Sequence, residues 1–320
     1  MSMLQNVTKG KIKRPKFVLL YGVDGLGKST FGSEAPKPIF MGTEEGTAEL
    51  DVERLPTPKS WADIQTATRE ILTDQHSYES LVVDTLDWAE PLLHQWVCEL
   101  DGSTTIERAA DGFGKGYGIA ATELMKWLFK LNEIRNKRKM NVILLAHCEA
   151  IKFSDPHAQT EYDRYQLKLH KKASPLVREY VDAVLFGNFV TMTRAVDAKK
   201  TEGKSRAYAD GARVLYTEKR PGFDAKNRYG LPFEIPFIKG QSWSDFVRLA
   251  DAGNVDSKEA ILSRIKGLLV DATPEVKASA EGLVTKAGDN IADLQMIEGR
   301  LKKRLEGAAV EAVAEIVKAQ

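Results

Sequence analysis

Phe17-Val18-Leu19-Leu20-Tyr21-Gly22-Val23-Asp24-Gly25-Leu26-Gly27-Lys28-Ser29-Thr30 is the stretch from which the fold can be read. Its first five residues form an unbroken apolar run, the pattern of a strand covered on both faces. The next eight spell G-x-x-x-x-G-K-S, a phosphate-binding loop at the end of a buried strand, where such a loop belongs. The glycines let backbone N–H groups turn inward around a chain of phosphates. Lys28 can reach the β and γ phosphates, and the Ser29 hydroxyl can ligate Mg²⁺. Gly22, Val23, Asp24, Gly25, Leu26, Gly27, Lys28, Ser29 and Thr30 are therefore the expected nucleotide-binding set, with ATP and Mg²⁺ as ligands.

Working outward, a short helix after the loop must stop before Pro36 and Pro38. Apolar runs ending in polar residues follow at 38–41, 81–85 and 141–146, with helical periodicity between them. Ser60 opens one helix as N-cap, with Asp63 at its third position. Residues 119–137 repeat Leu124, Leu128, Leu131 and Ile134 at helical spacing. The segment 150–168 reads as a loop or hairpin, and 171–182 as a helix. Residues 189–218 read as antiparallel strands joined by a polar turn at 199–204. Strands alternating with helices predict an α/β fold, a mostly parallel central sheet sandwiched by helices. Ligands are then expected at the carboxyl ends of the strands. Residues 1–15 read as a flexible basic arm, 16–253 as the core, and the Ala-rich stretch 254–320 as a small C-terminal helical region.

Bulk composition narrows the function. The 320 residues hold 46 Lys+Arg against 45 Asp+Glu, so any nucleic-acid binding must come from local basic surfaces. Two cysteines, Cys98 and Cys148, show no metal-type spacing and suggest a reducing compartment. No apolar run reaches membrane-spanning length, and the first sixteen residues lack a signal peptide's apolar core. A cytoplasmic protein is expected.

Phosphoryl transfer to water needs charge neutralisation, a metal and an oriented nucleophile. Asp84, at the end of an apolar run, is placed to hold the Mg²⁺ shell with Ser29; its competing role is capping the next helix. Glu44 or Glu45 could polarise the attacking water, or be solvated turn carboxylates. His147 ends a buried strand, as a γ-phosphate sensor or a hydrogen-bonded structural group. Cys148 reads as a buried apolar residue. Arg164, Lys168, His170, Lys171 and Lys172 surround Tyr162 and Tyr165, and Lys199, Lys200, Lys204 and Arg206 lie in the hairpin turn. Cations interleaved with aromatics suit single-stranded nucleic acid, although a solvated loop shows the same composition. Arg135, Lys137, Arg138 and Lys139 complement a helix dipole.

The order of these pieces resembles the RecA-type recombinase core. It is more closely similar to the phage-encoded ATPases of the Sak single-strand-annealing group, built on that core. The resemblance spans residues 16–240. It is carried by GVDGLGKST (22–30), TEEGT (43–47), SLVVDT (80–85), FGKGYG (113–118), NVILLAH (141–147), DRYQLKLHKKA (163–173) and DAKNRYGLPF (224–233). It implies a RecA-like P-loop NTPase in which Glu44 activates water and Asp84 is the Mg²⁺-associated aspartate. His147 then stands where the γ-phosphate is coupled to DNA-binding loops, a position at which RecA-type proteins usually carry an amide. Lys226 and Arg228, ordinary surface charges by themselves, become a paired-cation element reaching the neighbouring subunit's nucleotide. The stretches 111–118 and 150–170 fall where the two DNA-contacting loops lie, making Lys115, Arg164, Lys168, Lys171 and Lys172 candidate DNA contacts. The implied activity is that of an oligomeric, Mg-ATP-dependent ATPase. It would bind single-stranded DNA and promote annealing or strand exchange in phage recombination, with a single-stranded-DNA-binding protein as a further partner. The competing classes are a nucleotide-gated scaffold or loader, a helicase-like motor, and a small-molecule kinase, for which no lid is evident.

Overall fold

The computed structural model describes residues 5, 7, 9 and 12–301, except 45, 155–159, 196–204, 253–257, 270, 271, 289, 291, 292 and 295. Most of the 1–15 arm, Glu45, Lys199, Lys200 and Lys204 thus lie outside the described residues. The chain forms two compact units, Met1–Asp251 and Ala252–Gln320.

The first unit is a mixed α/β core. Its strands are β1 (Phe17–Gly22), β2 (Pro38–Gly42), β3 (Glu53–Arg54), β4 (Ser80–Asp84), β5 (Asn141–Phe153), β6 (Tyr162–Leu167), β7 (Ala183–Ala195), β8 (Ser205–Tyr216), β9 (Lys226–Asn227) and β10 (Glu234–Pro236). Its helices are α1 (Lys28–Ser33), α2 (Trp61–Thr73), α3 (Leu86–Glu99), α4 (Gly116–Glu133), α5 (Ala173–Tyr180) and α6 (Ser242–Ala252). The main sheet runs β10-β8-β7-β1-β5-β4-β2-β3. The six strands from β7 to β3 are parallel, while β8 and β10 are added antiparallel. The central strands read as unbroken apolar runs because helices cover both faces.

Alternation along β1 divides the core. Phe17, Leu19 and Tyr21 face a layer containing Trp61, Leu86, Leu124 and Val177 of α2, α3, α4 and α5. Val18 and Leu20 face Phe31 of α1 and Phe246 of α6. The Ser60–Asp63 capping box forms as the residues predict. The segment 150–168 is a hairpin: β5 runs on past the sheet, and Cys148 to Phe153 pair antiparallel with β6. After α4, residues Ile134–Arg138 continue as a π-helical turn. There Arg135 is buried and its Nη1 donates to Asp182 Oδ2 at 2.5 Å, so its charge meets a carboxylate instead of a helix dipole. Helix α6 is absent from the sequence reading. It is seated by Glu34, whose carboxylate accepts from Gly240 N (2.6 Å), Ser242 Oγ (2.7 Å) and Trp243 N (3.1 Å).

The second unit contains α7 (Lys258–Leu269) and α8 (Pro274–Ala287) around a small core of Ile261, Ile265, Val276, Ala280, Leu294 and Ile297.

Candidate functional site

The loop between β1 and α1 takes its shape from its glycines. Gly25 and Gly27 have φ of 71° and 104°, a region that penalises any Cβ. Gly22 is required for a different reason: a Cβ there would meet Gly187 O of β7 at 2.2 Å. Leu26 is fully buried beneath the turn and anchors it to the core. Lys28 is 7% exposed, and its Nζ donates to Gly22 O (3.3 Å) and Val23 O (3.2 Å). Burial lowers its pKa, opposed by the nearby Asp24, Asp84 and Asp87 carboxylates.

The sheet order places the remaining groups. Because β5 lies between β1 and β4, His147 at the end of its sheet portion is paired in register with Gly22. Asp84 ends β4, and Thr43 ties the end of β2 to it. Thr43 N donates to Asp84 O (2.8 Å), Thr43 Oγ1 donates to Thr85 O (2.7 Å), and Thr85 N donates to Thr43 Oγ1 (2.9 Å). That clamp brings Glu44 close enough to His147, Asp84, Asp87 and Lys28 to feel their charges. Burial raises the Glu44 pKa, with His147 pulling the other way.

Asp84 is 1% exposed, and neither of its carboxylate oxygens has a hydrogen-bond partner within the protein. Burial raises its pKa; the neighbouring Ser29 hydroxyl and Lys28 ammonium oppose that shift. The capping alternative does not hold, since Thr85 occupies the N-cap of α3, which has no side-chain cap bond. Buried carboxylate oxygens without partners are costly unless a ligand completes them. A cation coordinated by Asp84 and Ser29 fits that requirement. Among the described residues no group of three His, Cys, Asp or Glu could hold a metal unaided. A hard divalent ion would therefore draw most of its shell from phosphate oxygens and water.

His147 is held by a residue that sequence reasoning missed. Asp87, in the first turn of α3, accepts from His147 N (2.9 Å) and Nδ1 (2.8 Å). The bond to Asp87 raises the His147 pKa, and Nε2 is left 3.7 Å from Asp24 Oδ1. Burial pushes Asp87 upward, but the bonds from His147 more than offset it and hold the carboxylate below its ordinary range. The local sequence carries no pattern for this contact, which forms because Asp87 in the first turn of α3 faces the end of β5. Cys148 is half-buried, and burial pushes its thiol up to about 11, so it offers no nucleophile.

Two segments rise beyond this same edge. Residues 110–114 all have positive φ, a left-handed run ending at Gly114, and Phe113 within it is 98% exposed. Lys115 is exposed beside it, 3.9 Å from Asp111. The other segment is the β5–β6 hairpin and the turn after it, where Lys168, Lys171 and Lys172 are exposed. Lys172 Nζ donates to Gly114 O at 3.4 Å, and Tyr117 stacks on His170 with ring centroids 3.8 Å apart. Arg164 departs from expectation. It is 7% exposed, paired with Asp224 and stacked 4.6 Å over the Phe153 ring, so it holds the hairpin to the core and is withdrawn from any surface contact. Glu90, one turn past Asp87 on α3, accepts His170 N at 3.1 and 3.0 Å.

Lys226 and Arg228 sit at the other edge. Strand β9 pairs with Ala183 and Val184 at the start of β7, and Arg228 N donates to Asp182 O. The loop lies beyond the opposite end of these strands. Lys226 Nζ donates to the carbonyls of Arg178 (3.1 Å), Glu179 (2.5 Å) and Val181 (2.7 Å), closing the end of α5. Arg228 is more open, with Nη1 3.6 Å from Asp182 Oδ1. Arg178, Lys219, Lys226 and Arg228, with Glu179 and Asp224, line a recess of about 620 Å³.

A family model described as an AAA domain matches residues 14–229, which include every site residue placed above. The chain is also similar to the SPbeta prophage-derived protein YorG of Bacillus subtilis (strain 168), 28% identical over 139 residues. That alignment covers 41% of this chain and 41% of the relative, so the chain spans about two fifths of the relative's length.

Proposed function

The chain belongs to this AAA domain family, and from that premise we propose that it is a Mg-ATP-dependent ATPase of RecA type. In this reading it acts as a homo-oligomer on single-stranded DNA and promotes annealing or strand exchange in phage recombination. The likeness to a prophage-derived protein favours the phage setting. Lys28 and the loop amides neutralise the phosphates, and Glu44, beside His147, orients the attacking water. Mg²⁺ held by Asp84 and Ser29 would supply charge stabilisation at the transferred phosphoryl group.

One observation carries the DNA half of the reading: a single helix touches both the nucleotide edge and the exposed segments. Asp87 of α3 holds His147, and Glu90 one turn on holds the His170 turn, which contacts the 110–118 loop through Tyr117 and Lys172. A solvent-exposed phenylalanine flanked by lysines is the combination that stacks bases and pairs phosphates. The test is the hydrolysis rate with and without single-stranded oligonucleotide over a salt titration. We expect stimulation that weakens as salt rises. Phe113→Ala should weaken oligonucleotide binding about tenfold while the DNA-free rate stays unchanged. Hydrolysis indifferent to oligonucleotide at every salt concentration would instead support a nucleotide-gated scaffold or loader, a reading with which the near-zero net charge is compatible.

A further inference from the structure

Arg213, on β8, takes no part in the site described so far. Its strand lies two places from β1, on the side away from β5, β4 and β2. A methyl group added to Gly27 would sit 3.2 Å from Arg213 Nη1 and 3.3 Å from the Phe237 ring. The guanidinium is therefore packed against the backbone of the phosphate-binding loop at its last glycine. Strand pairing fixes it there: Arg213 is opposite Phe189 of β7, its O accepts Phe237 N at 2.9 Å, and its guanidinium carbon stands 5.7 Å from the Phe189 ring centroid. Among the described residues no carboxylate lies within ion-pair distance of Arg213, whereas Lys28 on the other side of the loop is surrounded by Asp24, Asp84 and Asp87.

A half-buried guanidinium that meets no carboxylate among the described residues, set beside a loop of inward-turned amides, is suited to an anion that engages both. The groups suited to the reacting phosphate, Glu44, Asp84 and His147, all lie on the β5, β4 and β2 side. A triphosphate laid across the loop with its γ-phosphate toward them directs its nucleoside end toward β7 and β8. We propose that Arg213 is a nucleotide-binding residue acting within its own subunit. Its planar fork grips the α-phosphate end of a nucleoside di- or triphosphate, with Phe189 and Phe237 as the apolar wall behind it. This inference rests on the ATPase reading above. It separates two tasks: Lys28 serves the phosphates that react, and Arg213 serves the end that stays the same before and after hydrolysis.

Calorimetric titration of the full chain with ATP and with ADP tests this. Arg213→Ala should weaken both nucleotides equally, by about ten- to a hundredfold, the effect of losing a charge-assisted contact. Turnover at saturating ATP should fall much less than affinity. Arg213→Lys, which keeps the charge but not the fork, should recover only part of the loss, and it gives the same reading if the alanine variant does not fold. Wild-type ADP affinity in a variant with unchanged circular dichroism and melting temperature would overturn the proposal. So would a loss confined to ATP, because that would assign Arg213 to the γ-phosphate. A wild-type chain that bound neither nucleotide would instead defeat the ATPase reading itself.

Discussion

Asp87 and Glu90 stand one turn apart on α3 and are driven in opposite directions. Hydrogen bonds from His147 overcome the effect of burial at Asp87, whereas at Glu90 burial wins over the bonds from His170 N and pushes the carboxyl up to about 7. The folded protein thus keeps a proton on Glu90 that the unfolded chain sheds near its ordinary value of 4.5. Stability on this account is highest below that value and falls as pH rises toward about 7, by on the order of 2–3 kcal/mol. Glu90→Gln should therefore melt several degrees above wild type at pH 8 and show no gain at pH 4.5; equal melting temperatures at pH 8 would contradict it. His147 shares this pH direction for a different reason. Its charged form is held by Asp87, so that stabilisation is complete below the unfolded pKa and is lost as pH rises through the raised folded one. Asp87→Asn should bring the histidine's titration down, as followed by its ring proton resonances. Among these residues Asp84 was legible in the sequence because it ends an apolar run. Asp87 was not, because its importance comes from facing a residue sixty positions away.

At the scale of elements, the loop needs more than its own motif. Gly22 is required by the carbonyl of Gly187 on the neighbouring strand, and a Cβ on Gly187 would in turn strike Leu26 at 2.0 Å. Motif and strand β7 are therefore shaped to one another. Helix α6 shows the same dependence. Its aromatic face, Trp243 and Phe246, packs on Phe31 of α1 with ring centroids 5.4 and 5.9 Å away, and Glu34 at the end of α1 binds its first turn. Glu34→Ala leaves three donors without this acceptor and should cost about 1–3 kcal/mol, read from urea denaturation midpoints. No change in midpoint would mean that water replaces the carboxylate without loss. The pairing of β5 with β6 was legible only as a polar segment, 150–168, that reads as a loop or hairpin. That Arg164 would turn inward to Asp224 was not, since a sequence does not show which face of a hairpin meets the core.

For the molecule as a whole, the question is how a site at one sheet edge could use cations at the other. Within one chain the rise along the strand from Val18 to Gly22 sets the loop on the order of 13 Å from the β9 pairing. Arg228 therefore fits contact with a second copy better than with its own loop. Lys226, committed to the end of α5, fits the role of shaping that edge. On the oligomeric reading, Arg228→Ala should lose most of its turnover yet bind ATP normally, and Lys28→Ala should be inactive. Mixing the two should restore measurable turnover, because an intact loop then meets an intact arginine. Full activity of Arg228→Ala alone would remove the arginine from the chemistry.

Strand runs, the phosphate-binding loop and the polar residues ending each run were written in the chain locally, since burial on both faces demands apolar continuity and phosphate demands glycine, lysine and serine at fixed spacing. Which of those ends meet was decided by the order of strands in the sheet. Inserting β5 between β1 and β4 aligns His147 with the loop, and adding β8 outside β7 brings Arg213 against Gly27. Contacts of that kind join residues tens to hundreds of positions apart, and no local pattern records them, because only the pairing of strands sets the distance between their ends.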